Sequence, residues 1–266
     1  MRLSLLLALC ALGSQPAWAL DITACGATVP PGETGVLQAD LLCSGEYAGV
    51  TLENEATLDM NGHSIRGPAV KGVICTKRRC AVMSSVPGSE ISGVINGIFK
   101  FTVGGVLSVS DVYVHDLDAP FPGDHGIEAP DSRVELTRVV VRRTGYRGII
   151  ARRLLATDVE VSEHNDNGVF VVRRLDATNL TSTDNTGYGI VARHVYATNV
   201  VALNNAGGGV LARGMRILGG TITGNYAPLD LDVWSKRRPN LTGVTCGHSQ
   251  RVGMPLGEGF GVCAND

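Results

Sequence analysis

The chain has 266 residues, with 23 Lys and Arg against 25 Asp and Glu, 34 glycines and only 5% aromatic residues. A balance this near neutrality speaks against a general binder of nucleic acid or anionic membranes, whose domains are strongly basic. The glycine content, beside Val, Ile, Leu and Ala, favours short strands and tight turns over a helix bundle. After the first stretch no segment offers about twenty consecutive apolar residues, so no membrane span is expected.

In chain order, Arg2, the apolar run Leu3 to Leu12 and then Ala17-Trp18-Ala19 read as an export leader over residues 1–19, with the mature fold starting at Leu20. Losing Arg2 leaves 22 basic against 25 acidic residues, a net charge of −3. The expectation is a secreted, periplasmic or cell-surface protein. Cys10 leaves with the leader, and the remaining cysteines lie at 25, 43, 75, 80, 246 and 263. An oxidising compartment permits disulfides. Six thiols allow fifteen connectivities, and their grouping favours Cys25 with Cys43, Cys75 with Cys80, and Cys246 with Cys263. No Cys/His group has zinc-finger spacing. Residues 20–49 then read as an N-terminal cap, 50–225 as a repeat region, and 226–266 as a C-terminal cap holding Trp234.

The repeat is carried by Gly126-Ile127, Gly148-Ile149, Gly168-Val169, Gly189-Ile190 and Gly209-Val210, about twenty residues apart. Other columns keep the same register: Leu154, Leu175, Val195 and Met215; Ala156, Ala177, Ala197 and Ile217; Asp158, Asn179, Asn199 and Gly219; His164, Asn185, Asn205 and Asn225. Each unit holds short β-branched segments separated by Gly, Asn and Asp, and none has ten residues of helical periodicity. A unit of that length made of strands and turns is one rung of a parallel β-helix, in which like residues stack from rung to rung. Stacked asparagines bond amide to amide and satisfy polar groups at a bend. The predicted fold class is all-β: a right-handed parallel β-helix (solenoid) with disulfide-bearing N- and C-terminal caps.

These repeats, with LDMNGHSIRG (Leu58 to Gly67), GVINGIFKF (Gly93 to Phe101) and PNLTGVTCGHS (Pro239 to Ser249), resemble the right-handed parallel β-helix superfamily of pectate lyases, polygalacturonases and alginate epimerases. The resemblance implies a secreted protein acting on a polysaccharide. It does not extend to activity motifs. Gly123 to Gly126 (GDHG) is a partial echo of a polygalacturonase motif, DHGIE at Asp124 to Glu128 departs from the epimerase one, and the pectate-lyase arginine signature is missing.

The rhythm breaks once. Aligning Leu107 with Val134 gives a separation of 27 residues, an insertion within HDLDAPFPGDHG (His115 to Gly126). Insertions in solenoids map to loops on one face and often mark the binding face. Asp116, Asp118 and Asp124 offer a candidate Ca²⁺ group. The same alignment sets His115 and Asp116 above Arg142 and Arg143, and those above Ser162 and Glu163. Asp116, Asp124, His125, Arg143, Arg147, His164 and Asp166 are the candidate catalytic residues. Glycoside hydrolysis needs two carboxyls, and elimination from a uronate polymer needs a base and a cation facing the carboxylate.

Arg152, Arg173, Arg193 and Arg213 form a second candidate feature, with Arg153, Arg174 and His194 beside them. Guanidiniums stacked at strand spacing repel, and a linear anionic polymer would pair with them. The leading expectation is an exported solenoid that binds, and as a lyase or hydrolase cleaves, an anionic glycan. A non-catalytic surface or adhesion module is the competing class. No oligomeric state and no cofactor besides Ca²⁺ are suggested.

Overall fold

The computed structural model describes residues 19–117, 124–226, 231–255 and 259–266. Most of the expected leader, and Asp118 with it, lies outside these. Among the described residues there is no helix, and the chain coils as a parallel β-solenoid of about 10 turns. The early turns use one short strand per side: β1 (Leu20–Ile22), β2 (Ala27–Val29), β3 (Thr34–Leu37), β4 (Leu41–Leu42), β5 (Ala48–Leu52), β6 (Ala56–Asp59) and β7 (Ser64–Arg66). The next are β8 (Lys71–Cys75), β9 (Arg79–Met83), β10 (Glu90–Ser92), β11 (Asn96–Lys100), β12 (Val106–Ser110) and β13 (Tyr113–Leu117). Each later turn is one long strand bent at its corners: β14 (Ile127–Thr144), β15 (Ile149–Ser162), β16 (Val169–Thr183), β17 (Tyr188–Leu203) and β18 (Gly208–Thr223). The coil closes with β19 (Leu231–Ser235), β20 (Asn240–Cys246) and β21 (His248–Arg251).

Three parallel ladders result. The first runs β2, β5, β8, β11, then the leading parts of β14 to β18, then β19 and β21. The second follows β3, β6, β9 and β12, and the third β4, β7, β10 and β13, both continuing through β14 to β18 into β20. Segments 20–49 and 231–251 thus extend the ladders themselves. The repeat columns are in register as read: Ile127, Ile149, Val169, Ile190 and Val210 pair in sequence. Leu107 pairs with Val134, and His115 with Arg142. All three expected disulfides are formed.

Alternate residues point inward, and one contiguous apolar core of Val, Ile, Leu and Ala runs the length of the coil. The glycine before each inward Ile or Val sits where rungs approach closest. A Cβ on Gly97 would lie 2.5 Å from the Gly126 carbonyl oxygen, and one on Gly126 would lie 2.7 Å from that of Gly148. The same clash recurs at Gly49, Gly72, Gly148, Gly168, Gly189 and Gly209, so the column admits no side chain.

Between the second and third ladders the chain turns on single left-handed residues: Asp111, Arg138, Asp158, Asn179 and Asn199, all with φ between 52° and 58°. Asn and Asp tolerate that region better than other side chains. The bends also bond across rungs, Asn199 Nδ2 to Asn179 Oδ1 at 2.8 Å and Asn179 Nδ2 to Asp158 Oδ1 at 2.7 Å. A second amide stack is buried inside. Asn185 Nδ2 donates to Asn205 Oδ1 (2.7 Å), Asn205 Nδ2 to Asn225 Oδ1 (2.9 Å), and Asn225 Nδ2 to Asp232 Oδ1 (2.8 Å). Each side-chain oxygen also accepts the backbone N–H one rung earlier.

Candidate functional site

The sequence-predicted residues separate into three places. Asp116, Arg143, Glu163, Asp184 and Asn204 form a left-handed column where the third ladder turns into the first, with φ between 48° and 62°. Their stacking sets up a surface chain of ion pairs. Arg143 Nη2 binds Asp116 Oδ2 at 2.8 Å, Arg142 Nε binds Glu163 at 2.9 Å, and His115 lies 2.7 Å from Asp116 and 3.1 Å from Glu90. The Arg143 hydrogen bond holds the Asp116 carboxyl far below the usual range. Among the described residues Asp116 is therefore committed to arginine. The only three potential metal ligands found close together there are Cys25, Cys43 and Glu46, of which the two cysteines are disulfide-bonded.

His164 is 0% exposed and heads the buried amide stack. Its Nδ1 accepts the Thr144 N–H at 3.2 Å, with the Thr144 hydroxyl 2.8 Å away, and its backbone N–H donates to Asn185 Oδ1. Burial pushes its pKa down to about 4, so it is neutral at physiological pH and reaches no solvent.

Asp124, His125, Arg147 and Asp166 do come together, on the outer face of the first ladder, and they join residues that sequence reading did not single out. Two positions before the inward Ile or Val, successive rungs carry Lys71, Asn96, His125, Arg147, Asn167 and Tyr188. Lys71 pairs with Asn96, and the carbonyls of His125, Arg147, Asn167 and Tyr188 each accept a glycine N–H from the preceding rung. Beside this polar row runs a second outward row of Phe99, Glu128, Ile150, Phe170, Val191 and Leu211, ending at Trp234.

The two rows interlock. Lys71 Nζ donates to Asn96 Oδ1 (2.5 Å) and lies 4.1 Å above the Phe99 ring, while Asn96 Nδ2 donates to Glu128 Oε2 (2.9 Å). Arg147 Nε binds Asp166 Oδ2 at 2.6 Å, and its guanidinium lies over Tyr146 and Phe170 at 4.8 and 4.4 Å. The His125 ring is 5.3 Å from Tyr146. Asp124 is 1% exposed and packs over Gly145, where a Cβ would come within 2.8 Å of its Oδ2.

Burial shifts these groups against their charged forms. It lowers the Lys71 amine, opposed by Glu128 and Asp124, and raises the Glu128 carboxyl, opposed by Lys71. Burial, then the Arg147 charge, bring His125 down to about 4. The amine and the carboxyl are thus both moved toward their uncharged forms and are bridged by one amide. Such shifts are what acid–base chemistry at neutral pH requires. The sequence carried a signal for Lys71 and Asn96, since each lies one residue before a Gly-Val or Gly-Ile pair, as His125 and Arg147 do. It was hidden because those rungs are 25 and 29 residues long rather than twenty.

The arginine row sits where the first ladder turns into the second. There the ladder pairs Arg133, Arg153, Arg174 and His194, and shifts register so that Arg152, Arg173 and Arg193 fall in the corner. Scanned against protein-family models, curated proteins and solved structures, the chain returns no match in any of the three, and the pectate-lyase-like resemblance rests on the repeat and the fold alone.

Proposed function

We propose that this protein binds an anionic polysaccharide across the outer face of its first ladder and cleaves it by elimination at the Lys71–Asn96–Glu128 centre. The observation that carries the reading is the meeting, on one outward face, of three burial-shifted ionisable groups with a row of aromatic and apolar side chains. Rings beside polar groups suit sugars, which present apolar faces and hydroxyl edges. In the proposed step neutral Lys71 takes the proton alpha to a uronate carboxylate. The electron pair released forms the carbon–carbon double bond, the glycosidic C–O bond breaks, and protonated Glu128 gives its proton to the departing oxygen. Arg147 faces the carboxylate as charge builds on it.

The test is a screen of the full chain against polygalacturonate, alginate and a sulfated galactan, with and without chelator, following both unsaturated products and new reducing ends. Wild type should generate both from one uronate polymer, and Glu128→Gln should slow this by about 100-fold or more, the usual contribution of a positioned acid. Reducing ends without unsaturation would replace elimination by hydrolysis. Binding with every polymer left intact would leave a non-catalytic module.

A further inference from the structure

The near-neutral total charge conceals a one-sided distribution. From the rung of β8 to the rung of β19, the corner that joins the first ladder to the second carries 13 of the chain's 23 Lys and Arg residues. Thr76 to Arg79 enters it as TKRR and Lys236 to Pro239 leaves it as KRRP. Between them, successive rungs contribute Arg133, the pairs Arg152-Arg153 and Arg173-Arg174, then Arg193 and Arg213. Asp131 is the only acidic residue in these corner segments. The rung of β11 is the one interruption, filled by Phe101 to Gly105, with Phe101 71% and Val103 72% exposed. The two preceding corners, Pro30 to Glu33 and Glu53 to Glu55, carry no cation, so the basic segment has a defined start.

The corner cations are mostly unneutralised. Arg174 is paired with Asp176 (2.6 Å) and lies over Tyr196 (4.4 Å), and Arg133 is paired with Glu135 (2.8 Å). Among the described residues no carboxylate lies within 4.0 Å of Arg152, Arg153, Arg173, Arg193 or Arg213. Arg153, Arg173 and Arg193, with Arg133, the Arg174–Asp176 pair and His194, line an open groove of about 520 Å³. Guanidiniums repeated at about 4.8 Å along a rigid rod repel one another unless an anion of similar repeat lies on them.

We infer that this corner is a track for a linear carboxylated or sulfated polysaccharide, held in extended form along eight successive rungs. Seven steps of about 4.8 Å give a track of about 34 Å, and a pyranose unit advances such a chain by about one rung. Arginine outnumbers lysine eleven to two here, which suits the bidentate geometry of carboxylate and sulfate. A polysaccharide fits better than a membrane because the cations line a groove, and the exposed apolar residues of the corner, Phe101 and Val103 at one rung and Val172 at another, form no continuous band. The inference rests on the polysaccharide reading above and uses none of its acid–base residues, so the two can fail separately.

The test measures fluorescence anisotropy of labelled uronate and sulfated oligosaccharides, two to twelve sugars long, with wild type, Glu128→Gln, and the triple variant Arg153→Glu, Arg173→Glu, Arg193→Glu. Far-ultraviolet circular dichroism and the unfolding midpoint must match wild type for the triple variant. If they do not, the triple Arg→Gln variant takes its place. Affinity should rise with length and level off at about eight sugars, the number of rungs, and weaken steeply with salt. The triple variant should lose tenfold or more, and the same loss should follow when the three changes are made in the cleavage-slowed Glu128→Gln chain. Affinity independent of length, or unchanged in the triple variant, overturns the track. Equal or tighter binding of duplex DNA or of anionic phosphatidylglycerol vesicles overturns the choice of polysaccharide.

Discussion

Replacing His164 with asparagine tests the electrostatics of the core directly. In the folded chain burial holds this imidazole down to about 4, against 6.5 for a free histidine side chain. The folded state thus resists a proton that the unfolded state accepts. The stability tied to His164 is complete above the unfolded value and is lost as pH falls from about 6.5 toward about 4. That difference is worth about 3 kcal/mol in total, of which about 2 kcal/mol falls between pH 7 and pH 5. Asparagine at 164 would continue the stack, its oxygen accepting the Thr144 N–H as Asn185 accepts that of His164. It would also remove a buried Nε2 that has no hydrogen-bond partner among the described residues. Urea unfolding at pH 7 and pH 5 should therefore show wild type losing about 2 kcal/mol more than His164→Asn over that interval, with the two within about 1 kcal/mol at pH 7. Equal losses in both proteins would refute the reasoning, because every other titrating group is common to them.

Gly126→Ala should destabilise by about 3 kcal/mol or more, since its Cβ would meet Val141 Cγ1 at 2.2 Å and the Gly148 carbonyl at 2.7 Å. Gly214→Ala, facing only His194 Nδ1 at 3.7 Å, should shift the thermal midpoint little. Asn205→Ala takes from the Asn185 N–H and the Ser182 carbonyl their bonds to this side chain, and breaks the amide links to Asn185 Nδ2 and Asn225 Oδ1, which predicts a loss of about 4 kcal/mol in denaturant unfolding. Paired Cys→Ser variants should cost about 3 kcal/mol each for Cys25–Cys43 and Cys246–Cys263, whose loops span 18 and 17 residues, and about 2 kcal/mol for Cys75–Cys80, which spans 5. A larger loss for the shortest loop would contradict the loop-closure account.

The coil was readable because stacking forces chemistry to repeat. Gly148, Asn205 and Ala177 recur at fixed intervals since each meets the same neighbour one rung away. The early rungs were harder to read. Gly49, Gly72 and Gly97 obey the same steric rule, yet their corners vary in length and hide the period. The candidate site was legible only in part, for a related reason. His125 and Arg147 drew notice beside the insertion, whereas Lys71 and Glu128 are 57 residues apart in sequence and meet only because Asn96 spans the rung between them. His164 looked like chemistry because histidine often is. Its place at the head of an asparagine column was the better guide, and it put the ring inside the core. The arginines were seen as a row, but the two flanking basic tripeptides joined it only once the corners were superposed.

The buried amide stack also has a direction. Asn185 and Asn205 each receive a hydrogen bond from one side and pass one on to the other, so the message travels toward higher residue numbers. At Asp232 it stops. A carboxylate accepts from the Asn225 amide and from the Gly247 N–H, but has no proton of its own to hand to a next rung. The column therefore contains its own punctuation: asparagine means continue and aspartate means end. One more rung follows, since β21 pairs with β19 and the Gly247 N–H just before it reaches the Asp232 carboxylate, but that rung joins through the backbone and adds no amide to the stack.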